Sequence, residues 1–331
     1  MDDTGLTIAV FGGASGGATE VISALEGEGL SIARLIAADG GDGAMLTARW
    51  RGTELPSVPW EQVELGALDV AILACSDDVA GTLCPRLLAE DVFTLDLSPG
   101  ACGRGVLPAF WPTLNLEALE EHPGGLALPD SAAAAVCEFL SAVHTTARPE
   151  RVTSTVLHGA SQAGHAGVEA LSRQTVSLLN HRLPERGALR GILAFNMLGG
   201  SHFSTREADP FEAGAVTAVR ALAPPYLEEV RFSVVQVPVF SGCAASLVVD
   251  IAGAMPKTED MERAVDARSE LVRIEVDGTL RDAHEIDHVL VTSLRCDGDG
   301  TVRALLFIDD QHRRASVAAA VLSRIVEGDL W

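Results

Sequence analysis

Short apolar runs separated by glycine turns dominate the first third of the chain. Thr7–Phe11 (TIAVF) has the pattern of a short buried strand, and Gly12–Gly17 reads as a turn. Over Glu20–Leu30, Val21, Ile22 and Leu25 recur at helical spacing. Ser31–Ala37, Leu68–Ala74 (LDVAILA) and Phe93–Leu97 (FTLDL) repeat the strand pattern, with a helix predicted around Ala80–Ala89. Strand, helix and strand alternating through glycine turns predict an α/β fold with a doubly wound parallel sheet of Rossmann type.

From about Arg151 the texture changes. Strand-like runs take over at Val152–Leu157, Ile192–Met197, Glu229–Phe240, Ala245–Ile251, Leu271–Val276, Val289–Arg295 and Ala304–Ile308. An amphipathic helix over about Gly164–Leu183 separates the first two, and Arg313–Ile325 (RRASVAAAVLSRI) reads as a closing helix with small residues on one face. This texture predicts a mixed sheet covered by helices, an α+β domain and not a second Rossmann unit. The expected boundaries are 1–126 with 306–331 for the Rossmann-type domain and 127–305 for the second.

Composition narrows the partners. The 331 residues carry 24 Lys+Arg against 46 Asp+Glu, a net charge of −22. So acidic a surface repels phosphate backbones and anionic lipid, which argues against nucleic-acid and membrane-surface binding. No apolar run approaches the ~20 residues of a membrane span. The acidic start MDDTGLTIAVFGG leads directly into a strand, unlike a signal peptide, so a cytoplasmic setting is expected. The six cysteines (Cys75, Cys84, Cys102, Cys137, Cys243 and Cys296) have neither metal-ligand spacing nor the pattern of a secreted disulfide framework. His284 and His288 have i, i+4 spacing, but they sit among acids with no third ligand and read as solvated surface.

The turn Gly13-Ala-Ser-Gly16-Gly17-Ala-Thr19 follows a strand and opens a helix, the context of a dinucleotide fingerprint. Two glycines of G-x-x-G-x-x-G are present, and Thr19 stands at the third place. Such a turn aims backbone N–H groups and a helix dipole at a pyrophosphate. It also serves as a plain βα turn in a domain that binds nothing. About 23 residues beyond Gly16, Asp39 ends the second strand, where an acid favours a ribose 2′-hydroxyl and repels a 2′-phosphate. Asp42 adds to that repulsion and no cation is near before Arg49, so a bound dinucleotide is expected to be NAD in preference to NADP. The alternative is that both aspartates are turn formers among glycines.

Six segments in order carry a family resemblance: TIAVFGGASGGA, LDLSPG, TSTVLHGASQAGHAGVEALSRQT, LAFNML, VVQVPVFSG and LRCDGDGTVRALLFIDDQHRRASVAAAV. Together they resemble the aspartate-semialdehyde dehydrogenases, nearly end to end. The wording of A-x-P-D-S, V-V-Q-x-P-V-F and L-A-F-N-M-L is most similar to the family's Usg branch. The resemblance implies a dinucleotide-binding Rossmann domain, a substrate-binding and dimerisation domain, a homodimer, and NAD or NADP as cofactor. It also implies where the chemistry lies. In the family's A-N-P-N-C motif, Leu128, Pro129 and Asp130 take the N-P-N places and Ser131 takes that of the nucleophilic cysteine. Cys243 follows Gly242 where the family has its general-base histidine. His158 stands at the glutamine that orients the thioester, and Gln236 at the arginine that clamps the substrate carboxylate. Cys102 stands at the phosphate arginine, with Arg104 two residues away as a substitute. The substrate lysine maps near Gly214, with Glu212 retained, and the cofactor-contacting pair maps to Asp310-Gln311.

The family's reaction needs a thiolate to attack the carbonyl, and a serine hydroxyl is far harder to ionise. Three readings stay open. The first is a degenerate paralogue in an amino-acid biosynthetic setting, with the fold but not the reaction. The second is an active NAD(P)-dependent aldehyde or acyl-phosphate oxidoreductase using Cys243, Cys102 or Cys137. The third is new Ser–His or Cys–His chemistry from Ser131, His158 and Cys243.

Overall fold

The computed structural model describes residues 5–12, 16–39, 47–202, 204–205, 208–225 and 227–328. Gly13 and Asp42, both singled out by the sequence, lie outside the described residues. The contact pattern divides the chain into two compact units, Met1–Pro129 with Arg314–Trp331, and Asp130–Arg313.

The first unit runs β1 (Leu6–Phe11), α1 (Gly16–Gly27), β2 (Ile32–Ala38), β3 (Thr47–Trp50), β4 (Thr53–Pro56), β5 (Val70–Leu73), α2 (Asp77–Ala89), β6 (Phe93–Asp96), α3 (Ala101–Arg104) and β7 (Gly125–Ala127). β2-β1-β5-β6-β7 form a parallel sheet, and β3 and β4 pair as a separate hairpin. Strand order reverses between β2-β1 and β1-β5, which is the Rossmann-type expectation. β5 and β6 are buried at every position, as strands covered on both faces must be. Ile8, Val10, Ile72 and Leu95 meet Val21, Ile22 and Leu25 of α1 in the core, along with Leu322 and Ile325 near the C-terminus.

The second unit contains α4 (Ser131–His144), β8 (Arg148–His158), α5 (Gly164–Leu179), β9 (Leu198–Gly199), α6 (Pro210–Leu222), β10 (Glu229–Gln236), β11 (Cys243–Ala252), α7 (Thr258–Asp266), β12 (Val272–Ile274), β13 (Val289–Asp297) and β14 (Thr301–Ile308). α8 (Asp310–Gly328) starts in this unit and continues into the first. The sheet is mixed, in the order β12-β13-β14-β11-β8-β10-β9. Alternation decides its faces: Val152, Ser154, Val156 and His158 of β8 are buried, as are Cys243, Ala245, Leu247 and Val249 of β11. β14 pairs with both β11 and β13, so residues 306–308 stay with this sheet and the first unit's C-terminal part starts only at Arg314.

Two expected strands differ. Ile192–Met197 is not a strand; only Leu198–Gly199 pair, with β10. The side-chain carbonyl of Gln174 in α5 accepts from Leu193 N (2.8 Å) and Ala194 N (3.1 Å), and Phe195 takes φ +57°. These backbone donors are therefore satisfied by a helix side chain instead of a neighbouring strand. Glu229–Phe240 stops as a strand at Gln236, because Pro238 has no N–H to give a ladder. Beyond it, Val239, Phe240 and Gly242 turn their carbonyls to the N–H groups of Ala160, Ser161 and Gly159.

Candidate functional site

In the first unit, β1 runs into Gly12, whose φ is +145° and whose added Cβ would meet Ala74 O at 2.4 Å. Only glycine fits that approach, so Gly12 lies directly against Ala74, the residue after β5. Gly16 and Gly17 open α1, and a Cβ on Gly17 would meet nothing within 4 Å. Asp39, buried, follows the last residue of β2, with its backbone N–H donating to Val58 O at 2.8 Å. Arg104 is ion-paired to both Asp77 and Asp96 and bonded to Ser98. A guanidinium already neutralised by two carboxylates is poorly placed to take a phosphate. Cys102 is buried and its thiol is pushed up to about 12, chiefly by desolvation.

The second unit brings three of the sequence's site residues into one row. Gln236 pairs with His158 in the parallel β10–β8 ladder, and Cys243 pairs with His158 in the antiparallel β11–β8 ladder. Register partners project from the same face, so Gln236, His158 and Cys243 are consecutive neighbours on the buried side. All three are fully buried. Phe211 of α6 meets the His158 ring edge-on, with centroids 4.5 Å apart.

The imidazole's proton is placed by a chain of bonds. The backbone N–H of His202 donates to Gln162 Oε1 at 3.0 Å, which turns Gln162 Nε2 toward His158 Nδ1, and the two are hydrogen-bonded. An amide nitrogen only donates, so Nδ1 accepts and the neutral ring carries its hydrogen on Nε2. Burial pushes the His158 pKa below its usual value, which keeps the ring neutral. Nε2 lies 3.9 Å from Asp130 Oδ1 and has no hydrogen-bond partner.

Ser131 is the first residue of α4, with Asp130 as its N-cap accepting from Ala132 N at 2.8 Å. The Ser131 hydroxyl is buried and donates to the backbone carbonyl of Asp310 at 2.7 Å. The Asp310 carboxyl is itself buried, and desolvation, with Asp130 and Asp309 adding to it, raises its pKa to about 7. Burial and the same three acids push the Cys243 thiol well above its ordinary value, against the opposing Arg313. Gln311 donates to Ser161 O at 2.5 Å. Glu212 accepts from Val234 N at 3.0 Å, so it braces β10. Cys137 is packed inside α4. Gln236 has both amide atoms buried and without a partner, as is Ser161 Oγ.

Away from this row, His284 Nδ1 lies 2.9 Å from Asp309 Oδ2, and His312 lies 3.3 Å from Asp287. Among the described residues no group of three or more His, Cys, Asp or Glu side chains is arranged to hold a metal ion. Among them, too, no helix is long and apolar enough to cross a membrane. One residue that matters here, Glu138, escaped the sequence reading. It forms a buried ion pair at 2.7 Å with Arg313, which the sequence places at the start of the closing helix and suggests pairs with surface acids, and so joins α4 to the first turn of α8. A lone acid in an alanine-rich helix was the only signal of it.

No family model matches the chain. Among curated relatives it is similar to a USG-1 protein homolog from Pseudomonas aeruginosa, 28% identical over 195 residues, 58% of each chain. The chain thus spans little more than half the length of that relative. It is also similar to aspartate-semialdehyde dehydrogenase 2 from Vibrio cholerae, 24% identical over 260 residues, 76% of each chain. Among solved structures, a probable aspartate-semialdehyde dehydrogenase from Pseudomonas aeruginosa superposes with a TM-score of 0.85 at 23% identity. It covers 98% of this chain and 99% of that one. The dehydrogenase from Candida albicans, solved with NADP, gives 0.70 at 14% identity, over 98% and 100%. The chain therefore has the aspartate-semialdehyde dehydrogenase fold, a Rossmann-type parallel sheet plus a mixed-sheet unit. Its resemblance to that family and to the Usg branch, read first from motifs, is matched by the relatives' names.

Proposed function

We propose that this protein is a catalytically degenerate relative of the aspartate-semialdehyde dehydrogenases, retained for ligand binding and assembly and not for the ancestral oxidation. The observation that carries this reading is the state of Ser131. At the nucleophile's place stands a hydroxyl that is buried, next in sequence to Asp130 and already donating to the backbone carbonyl of Asp310. Attack on a carbonyl needs an adjacent base to take the hydroxyl proton. The nearby imidazole has its one lone pair engaged by Gln162. The candidate thiols that would rescue the reaction, Cys102 and Cys243, are both held protonated by burial.

In this reading the first unit keeps a dinucleotide site at Gly13, Gly16 and Gly17, with Asp39 selecting NAD over NADP. The chain forms a homodimer through the second unit. In support of the dimer, Leu157, Val235, Val248, Leu305 and Phe307 project half-buried from the sheet face opposite His158, and Phe195, Met197 and Phe240 are exposed. Cysteines without disulfides suit a reducing cytoplasm.

The test is phosphate-dependent reduction of NAD or NADP by the wild-type protein at saturating aspartate semialdehyde, followed at 340 nm. No turnover above background is expected. Turnover near the ~10 per second of an ordinary enzyme would overturn the reading in favour of an active oxidoreductase. Sedimentation at micromolar concentration tests the assembly, with a monomer counting against it.

A further inference from the structure

We propose that the Gln236–His158 side of the site binds a neutral primary carboxamide. This rests on the reading of the site as one that no longer performs the dehydrogenase reaction, and it names the ligand class such a site would hold.

The argument starts from unmet hydrogen bonds. Gln236 is fully buried with neither its amide nitrogen nor its amide oxygen partnered, and the neighbouring His158 Nε2–H is likewise unpartnered. Leaving such a buried group unsatisfied is costly, and native interiors carry few of them. Three adjacent ones on a single ladder register form a pattern with a direction. Gln236 offers one donor edge and one acceptor edge side by side. His158 offers a second donor, fixed there because Gln162 occupies the other ring nitrogen.

A primary carboxamide is the complement of that set. Its carbonyl oxygen has two lone pairs, one for Gln236 Nε2 and one for His158 Nε2–H, and its N–H donates to Gln236 Oε1. A carboxylate leaves Gln236 Oε1 facing oxygen. It also brings a negative charge toward Asp130, 3.9 Å from His158 Nε2, with Asp209 and Asp310 on the same unit reinforcing the repulsion. An ammonium satisfies the acids but leaves the His158 donor facing a donor. Around the row, Asp130 and Gln162 are half-buried, while Gln236, His158 and Cys243 are closed off.

The experiment is an NMR titration of the full chain without dinucleotide, using butanamide and succinamide as probes against butanoate and succinate. Backbone N–H shifts of residues 157–163 and 234–237 and the His158 ring are the readout. We expect saturable shifts with the amides at millimolar concentration, and binding of the matching acids at least tenfold weaker at pH 7.5. Gln236→Leu removes both unmet groups at nearly constant volume, so it should fold with an unchanged or higher melting temperature and lose the amide response. Gln162→Leu should keep the fold and weaken the amide, because the imidazole is then free to move its hydrogen. Equal or tighter binding of the acids, no response to either amide, or an undiminished response in Gln236→Leu would overturn the proposal. Because no step uses turnover, a wild-type protein that oxidises the semialdehyde would refute the parent reading separately.

Discussion

Cys243 and His158 face each other across adjacent antiparallel strands, and the acceptor nitrogen of the imidazole, Nδ1, is bonded to Gln162. A Cys–His pair works when the imidazole has a free lone pair to take the thiol proton. Here the lone pair on Nδ1 is engaged by Gln162, Nε2 already carries hydrogen, and the thiol is held protonated by burial among acids. The strand register brings the residues together, and the bond to Gln162 leaves the neutral imidazole no free lone pair for the thiol proton. From this relationship the consequences of single changes follow.

Ser131→Cys alone is expected to leave semialdehyde oxidation at background. The new thiol would lie where Asp130, Asp309 and Asp310 disfavour a thiolate, with no base to activate it. Ser131→Cys combined with Cys243→His and Gln236→Arg restores nucleophile, base and clamp, and should show the higher rate of the two. The check is phosphate-dependent reduction of NAD and NADP; full recovery with the single change would show that the base lies elsewhere.

Asp39→Ser should narrow the preference for NAD. A buried carboxylate at the end of β2 rejects a 2′-phosphate and accepts a ribose hydroxyl. Calorimetry on wild type is expected to give tighter binding for NAD than for NADP, with the ratio falling at least fivefold in the variant. Equal affinities in wild type would remove Asp39 from the argument.

Breaking the Glu138–Arg313 pair should be costly. Both side chains are buried, and leaving either charge alone costs about 3–5 kcal/mol. Glu138→Leu and Arg313→Met should each lower stability by that order in urea unfolding. The double variant is expected to recover most of the loss, since a well-packed apolar pair is often as stable as a buried ionic one. A double variant as damaged as the sum of the singles would show that the bond from Arg313 Nε to Asp287 O carries the effect.

Asp310 gives stability a pH dependence of unusual sign. Its folded pKa of about 7 lies above the 3.8 of an ordinary aspartate, so between those values the folded chain binds more protons than the unfolded one. Its contribution is therefore fully present below about pH 4 and is lost as pH rises to about 7. The lowered pKa of His158 works in the opposite direction, weakening the fold as pH falls below about 6.5. Asp310→Asn should thus gain stability relative to wild type between pH 4 and 7 and hold a constant advantage above that. An advantage independent of pH would mean that the carboxyl is already ionised in the folded chain.

Much of the fold was readable because period decides burial. The apolar runs of β1, β5 and β6 and the alternation of β8 and β11 each survive single exceptions. Ile192–Met197 misled because an apolar run records burial and not the partner of its backbone; Gln174, some twenty residues earlier, supplies that partner. α6 and α7 went unread, although Asp209 caps the first with Pro210 in its opening turn. In the site, the motifs named Ser131, His158, Gln236 and Cys243 individually. The resemblance also implied that Ser131, His158 and Cys243 share one cleft, but the row of Gln236, His158 and Cys243 required the strand register, and the roles of Gln162 and Asp310 depend on bonds between residues 40 to 179 positions apart.

The row Gln236–His158–Cys243 is made of the last residues of β10 and β8 and the first residue of β11, three adjacent strands of a seven-stranded sheet. Sites built on loops can be remodelled by insertion and deletion while the scaffold stands. Here a residue inserted within β8 or β10 would turn every later side chain of that strand, His158 or Gln236 included, to the wrong face. History at this site is therefore confined to substitution in place, one side chain exchanged for another at a fixed address. That makes the lineage unusually traceable: a reconstructed ancestor should differ from this chain at these addresses by identity alone, and the order of the exchanges can be read by reverting them one at a time.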